Sequence, residues 1–179
     1  MIYKQRKSIR LKDFDYSSNG AYFVTICTHN WHPFFGSIHN EKIILNEMGI
    51  IAEKNWLQLT NHFIDIQLDE FKVMPNHIHG IMFIQKERKE TLNVLRPEDT
   101  SEWMLMRNPK PVLGKIIRHY KAKTTFYTHQ LSFSSFKWQR NYYEHIIRNE
   151  KDLQNARHYI HYNHLKWGGD NEFGKENEK

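Results

Sequence analysis

One cysteine, Cys27, stands in the 179 residues, so no disulfide can form within the chain and no Cys-pair zinc site can be built from it. It lies inside the apolar run YFVTICT and reads as a small buried side chain, not a reactive thiol. Long apolar runs are missing too. Nothing approaches the roughly 20 residues that cross a bilayer. The first residues, MIYKQRKSIRLKDFDY, hold no apolar core of the signal-peptide kind. A cytosolic protein is therefore expected, without membrane association, since no basic helix with a broad exposed apolar face is evident either. Acidic residues are the minority: 20 Asp and Glu against 26 Lys and Arg, a formal charge of +6 and a pI near 9.3. That excess favours a polyanionic partner such as nucleic acid. The length suits one domain with one site, and no internal repeat is visible.

Apolar patterning supplies the elements. Residues 20–28 (GAYFVTICT) are β-branched and aromatic behind a turn signal and predict a strand; FFGSIHNEKIIL predicts a hairpin turning near His39-Asn40. Met48, Ile51, Ala52, Trp56 and Leu59 recur at three and four, predicting a helix over residues 46–61 with Asn46 as N-cap and Trp56 in the core. Residues 64–73 and 77–84 predict an antiparallel strand pair around the turn Met74-Pro75-Asn76. Residues 86–110 are polar, mixed in charge and contain two prolines, the pattern of a mobile insertion. A second helix follows, with Leu113, Ile116, Ile117, Tyr120, Thr124 and Tyr127 on one side and Lys115, Arg118, Lys121 and Lys123 spread over the rest. After SFKWQ come a last strand in YYEHIIRN and a helix over residues 150–163, opened by Asn149 with Asp152 three residues on. Gly168-Gly169 ends the folded part, leaving residues 168–179 as an expected disordered tail and residues 1–167 as the domain. The order predicts an α+β sandwich, helices packed on an antiparallel sheet.

Chemistry concentrates in MPNHIHGIMFI. On a strand, His77 and His79 point the same way, about 6.5–7 Å apart, while Ile78 enters the opposite layer. Two imidazoles on one face can converge on a cation; taken alone, the pair fits better with two partly exposed strand histidines bonded to neighbours or water. No HExxH helix is present. Two histidines plus an oxygen ligand, open to substrate, suit Mg²⁺ or Mn²⁺ at a phosphate, though imidazole also suits zinc. In RHYIHYNHLKW, Tyr159 and Asn163 lie four apart on one side of the last helix, at the edge of the stripe made by Leu153, Ala156 and Ile160, with Tyr162 further toward solvent. For a tyrosine at such a position ordinary packing is the default reading.

Taken together and in order, MPNHIH, the helix carrying Lys121, WQ-x-x-YYEHIIRN and the closing YIxxN resemble the REP-associated tyrosine transposases, a branch of the single-tyrosine HUH transposases, across residues 20–167. The resemblance implies a ferredoxin-like (RRM-like) sheet carrying the HUH histidines and a nucleophilic tyrosine on a C-terminal helix. It implies cleavage of single-stranded DNA beside a hairpin, by a monomer more readily than a homodimer, in the cytoplasm at the nucleoid. Carried over by position, His77 and His79 bind the metal, Tyr159 attacks, and Asn163 completes the metal shell. Members usually close this motif with Asn-Pro; here His164 follows Asn163. DNA contacts are then expected from Lys115, Arg118, Lys121 and Lys123, with Arg140 and Arg148, while Trp138 or Tyr143 could stack on unpaired bases. His145, His158 and His161 are expected at the surface or in the core. The rival readings are a non-catalytic nucleic-acid binder and a hydrolase that uses a metal-bound water.

Overall fold

Alternation of side chains along extended segments builds the centre of the molecule. The computed structural model describes residues 19–85 and 113–167; the expected insertion at 86–110 and tail at 168–179 lie outside the described residues. Four strands, β1 (Gly20–Cys27), β4 (Ile66–Met74), β5 (His77–Ile84) and β6 (Tyr143–Ile147), form an antiparallel sheet in the order β4-β5-β1-β6. A separate hairpin joins β2 (Gly36–His39) to β3 (Lys42–Leu45). Its turn residues Asn40 and Glu41 both have positive φ, 48° and 61°, which matches the twist of the flanking strands.

Helices α1 (Glu47–Leu57), α2 (Leu59–His62), α3 (Leu113–Gln130) and α4 (Glu150–Tyr162) complete the fold. Asn46 caps α1 by accepting from the Gly49 N–H, and Asn149 caps α4 by accepting from the Asp152 N–H. The single helix expected over 46–61 is broken at Gln58, which ends α1. With α1 between β1 and β4, and α3 before β6, the sheet has the order of a β-α-β-β-α-β ferredoxin-like unit, and α4 is added after it.

Each face of the sheet has its own cluster. Even-numbered β1 residues Tyr22, Val24 and Ile26 join Ile78, Met82, Trp56 of α1 and Tyr120 of α3 in the larger core. Gly80 lies on this side because the Trp56 ring rests on it; a Cβ there would come within 2.2 Å of that ring. The opposite face carries a smaller cluster of Ile81, Ile147, Leu153 and Ile160, the last two from α4. In α3 the buried stripe ends on Thr128, while Tyr127, expected on that stripe, is 41% exposed. The hydroxyl of Thr128 donates to the Thr124 and Thr125 carbonyls, so a polar residue satisfied by its own helix takes the inner position.

Candidate active site

The β4–β5 hairpin delivers His77 and His79 to the face that α4 covers. Its turn is braced from the residue that follows β1: the Thr28 N–H and hydroxyl both donate to the Asn76 carbonyl, at 2.9 and 2.8 Å. The two imidazoles converge, Nε2 to Nε2, at 2.9 Å, and both are buried. Each far nitrogen is engaged as well, His77 Nδ1 with Asn76 Oδ1 at 2.6 Å and His79 Nδ1 with Thr25 Oγ1 at 2.8 Å. An amide oxygen can only accept, so His77 carries its proton on Nδ1 and turns the Nε2 lone pair toward His79. Burial lowers the His77 pKa to about 4, and burial together with the nearby His77 and Lys72 holds His79 well below its ordinary value. Both rings are neutral near pH 7, the form that binds metals.

Asn163, at the end of α4, is buried and brings Nδ2 to 3.1 Å from His79 Nε2. Its Oδ1 is buried without a hydrogen-bond partner among the described residues. A buried amide oxygen left unmet costs about 1–3 kcal/mol. Two imidazole Nε2 atoms 2.9 Å apart beside a buried amide whose oxygen is unmet fit one divalent cation, whose ligands lie about 2.1 Å away. Mg²⁺ or Mn²⁺ is therefore compatible with this donor set. Tyr159 stands one turn before Asn163; its ring meets His79 edge-on at 5.2 Å and Phe23 at 5.9 Å, and it remains 36% exposed.

An ion pair and a hydrogen bond dock α4 over this face. Arg157 donates from Nε and Nη2 to Asp69 Oδ2 of β4, at 2.9 and 2.6 Å. On the other side, His145 Nε2 of β6 lies 2.9 Å from Asp152 Oδ2. Trp31 and Trp167 border His77, with ring centroids at 5.9 and 6.2 Å.

No protein-family model matches the chain. Two proteins of Haemophilus influenzae do. One, uncharacterized, is 38% identical over 165 residues, covering 92% of this chain and 91% of that protein. The other carries the name REP-associated tyrosine transposase and is 55% identical over 157 residues, 86% of this chain and 75% of that protein. The chain belongs to the REP-associated tyrosine transposase family. Among solved structures, one described as a REP-associated tyrosine transposase bound to a REP hairpin superposes with a TM-score of 0.52 at 17% identity. It covers 93% of this chain and 75% of that one, a likeness of fold.

In this REP-associated tyrosine transposase relative, the residues proposed from sequence fall into two groups. His77, His79, Asn163 and Tyr159 come together. The expected DNA contacts stand apart from them: Lys115, Arg118, Lys121 and Lys123 lie on α3, which packs on the opposite face of the sheet, and Trp138, Arg140, Tyr143 and Arg148 lie in or beside β6. Arg118, Arg140 and Arg148 are exposed and Lys115 is half-buried. Lys123 donates to Gln58 Oε1 at 2.8 Å. Lys121 turns inward, donating to the carbonyls of Gln139 and Asn141, and burial lowers its pKa to about 8. Trp138, the expected stacking platform, is half-buried. Its bridge to Thr28 draws it inward, its ring packs on Phe35, Tyr120 and Phe136, and Nε1 donates to the Lys121 carbonyl at 3.1 Å. Tyr143 stays exposed on β6.

Sequence reading passed over Thr25, Asn76 and Lys72. Thr25 and Lys72 flank His79 in register on β1 and β4. A period-two count through β1 marks Thr25 once its pairing with β5 is known. Lys72 has no such signal, because a register shift between Leu68 and Phe71 resets the alternation of β4. His145, His158 and His161 are all exposed, as expected.

Proposed function

We propose that this chain is a metal-dependent single-strand DNA endonuclease and strand transferase of the HUH type, which acts beside hairpin-containing repeats through a 5′-phosphotyrosine intermediate. The observation that carries the reading is the convergence of His77 Nε2, His79 Nε2 and the buried Asn163 amide beside the ring of Tyr159. His77, His79 and Asn163 would hold Mg²⁺ or Mn²⁺. Such an ion supplies positive charge against the phosphoryl oxygens, which grow more negative as a nucleophile arrives.

The chain's own residues do the rest. Thr25 and Asn76 hold both imidazoles in orientation. The Tyr159 oxygen attacks the phosphorus and the bond to the 3′ oxygen breaks. The phenol gives up its proton, the departing oxygen gains one, and the phosphate stays on Tyr159 at the 5′ side of the break. Bond energy is thereby conserved, so a 3′-hydroxyl can reverse the step and join another end. Action as a monomer is part of this reading.

The DNA reaches this face across the β6 edge of the sheet. Arg140 and Arg148 lie at the two ends of β6 and are exposed, and Arg118 borders a groove between α3 and Asn141-Tyr142. Phosphate contacts there are the expected anchors. The hairpin-bound relative supports a hairpin as the structured element recognised.

The test is incubation with labelled single strands from the DNA flanking the gene, with Mg²⁺ or Mn²⁺, read on a denaturing gel. A covalent protein–DNA band is expected, lost in Tyr159→Phe and in His77→Ala. Cutting that persists in Tyr159→Phe without a band would mean hydrolysis by metal-bound water; hairpin binding with no cutting would leave a non-catalytic binder.

A further inference from the structure

The last ligand position, Asn163, sits where α4 runs out of backbone partners, and helix ends fray unless something ties them down. The chain continues past it into a 3₁₀ turn, Asn163–Lys166, and has His164 where a proline usually closes the motif. Lys72 is the group that reaches this end. It stands on β4 directly across from His79. Its ammonium donates to the His161 carbonyl and lies 3.2 Å from His164 Nδ1. An ammonium has donors only, so His164 accepts through Nδ1. One side chain thus grips the chain two residues before Asn163 and one residue after it. A cation is also favoured at the negative end of a helix.

We infer that Lys72 is a positioning residue for the metal site: by clamping the His161 carbonyl and the His164 imidazole, it holds Asn163 against His79. The inference rests on the metal-site reading given above. His164 takes part in the same clamp, so the Asn163-His164 pair fixes the helix end by a side-chain contact to β4 instead of by a ring in the backbone. Loss of the clamp lets the end of α4 fray and removes the third ligand while leaving His77 and His79 in place.

The test is Mn²⁺ binding to the full-length protein by calorimetry, with thermal melting alongside. Lys72→Met should weaken Mn²⁺ binding by about tenfold, the scale of an outer-shell partner, and Lys72→Arg, which still donates, should recover most of it. The decisive comparison is a double-mutant cycle. In an Asn163→Ala background, Lys72→Met should cause no further loss, because the residue through which it acts is already gone. His164→Ala should behave as Lys72→Met does, and carries the same cycle if the methionine variant does not fold. An unchanged affinity in Lys72→Met, or a loss that adds fully to that of Asn163→Ala, overturns the inference while the metal site stands. Absence of Mn²⁺ binding by the unmodified protein overturns the metal-site reading and the inference with it.

Discussion

The two faces of the four-stranded sheet are built from interleaved residues yet have opposite characters. Tyr22, Val24, Ile26, Ile78 and Met82 face α1 and α3 and are fully buried among apolar neighbours. One position away in sequence, Thr25, His77 and His79 face α4, where buried polar groups pair with one another and Asn163 Oδ1 pairs with nothing among the described residues. Strand alternation lets one segment supply stability to one side and chemistry to the other. The dry face can anchor the sheet at near-full packing, so the other can carry strained or unmet polar groups that would be intolerable in the main core.

The comparison can be broken from either side. Tyr159→Phe should reduce DNA cleavage by at least about ten-thousandfold, the scale of removing a covalent nucleophile, with little change in melting temperature because the ring is partly exposed. Trp56→Ala should do the reverse. A urea melt should show a loss of about 3–5 kcal/mol, while the protein that remains folded keeps its Mn²⁺ site. If Trp56→Ala removed metal binding from folded protein, the separation of the faces would be wrong.

Smaller changes sharpen it. Thr25→Val removes the partner of His79 Nδ1 and should weaken Mn²⁺ binding by about tenfold with a modest stability effect, measured by calorimetry. The smallest effect is expected at the α4 latch. The Asp152 carboxyl is held below its ordinary pKa, first by the hydrogen bond from His145 and then by the Arg148 N–H. A lowered folded-state pKa stabilises the protein above the unfolded value and is lost as pH falls through the folded one. Asp152→Asn should therefore lower the melting temperature slightly near neutral pH, and the gap should close as the solution is acidified below the ordinary carboxylate range.

Much of this was legible in the sequence where local rules decide. The caps Asn46 and Asn149, the strand alternation at His77-Ile78-His79 and the one-turn spacing of Tyr159 and Asn163 are short-range patterns, and each appears where periodicity puts it. What long-range packing decides was not legible. Lys121 and Trp138 look like solvated side chains until the segment before β6 folds back on α3 and half-buries them. Lys72 lies behind a register shift, and its partner His164 is 92 residues away. The split of the helix at Gln58 leaves no mark on a helical wheel, which runs on unbroken through that position.

The central claim is that the face under α4 performs the reaction and that Tyr159 is the atom source of the covalent link. Its most direct test is to digest the protein–DNA adduct with protease and nuclease and to locate the residual nucleotide by tandem mass spectrometry. The account predicts a phosphotyrosyl nucleotide on Tyr159 within the peptide HYIHYNHLK. A nucleotide on Tyr162, three residues on and turned toward solvent, or on any residue of the opposite face, would contradict it.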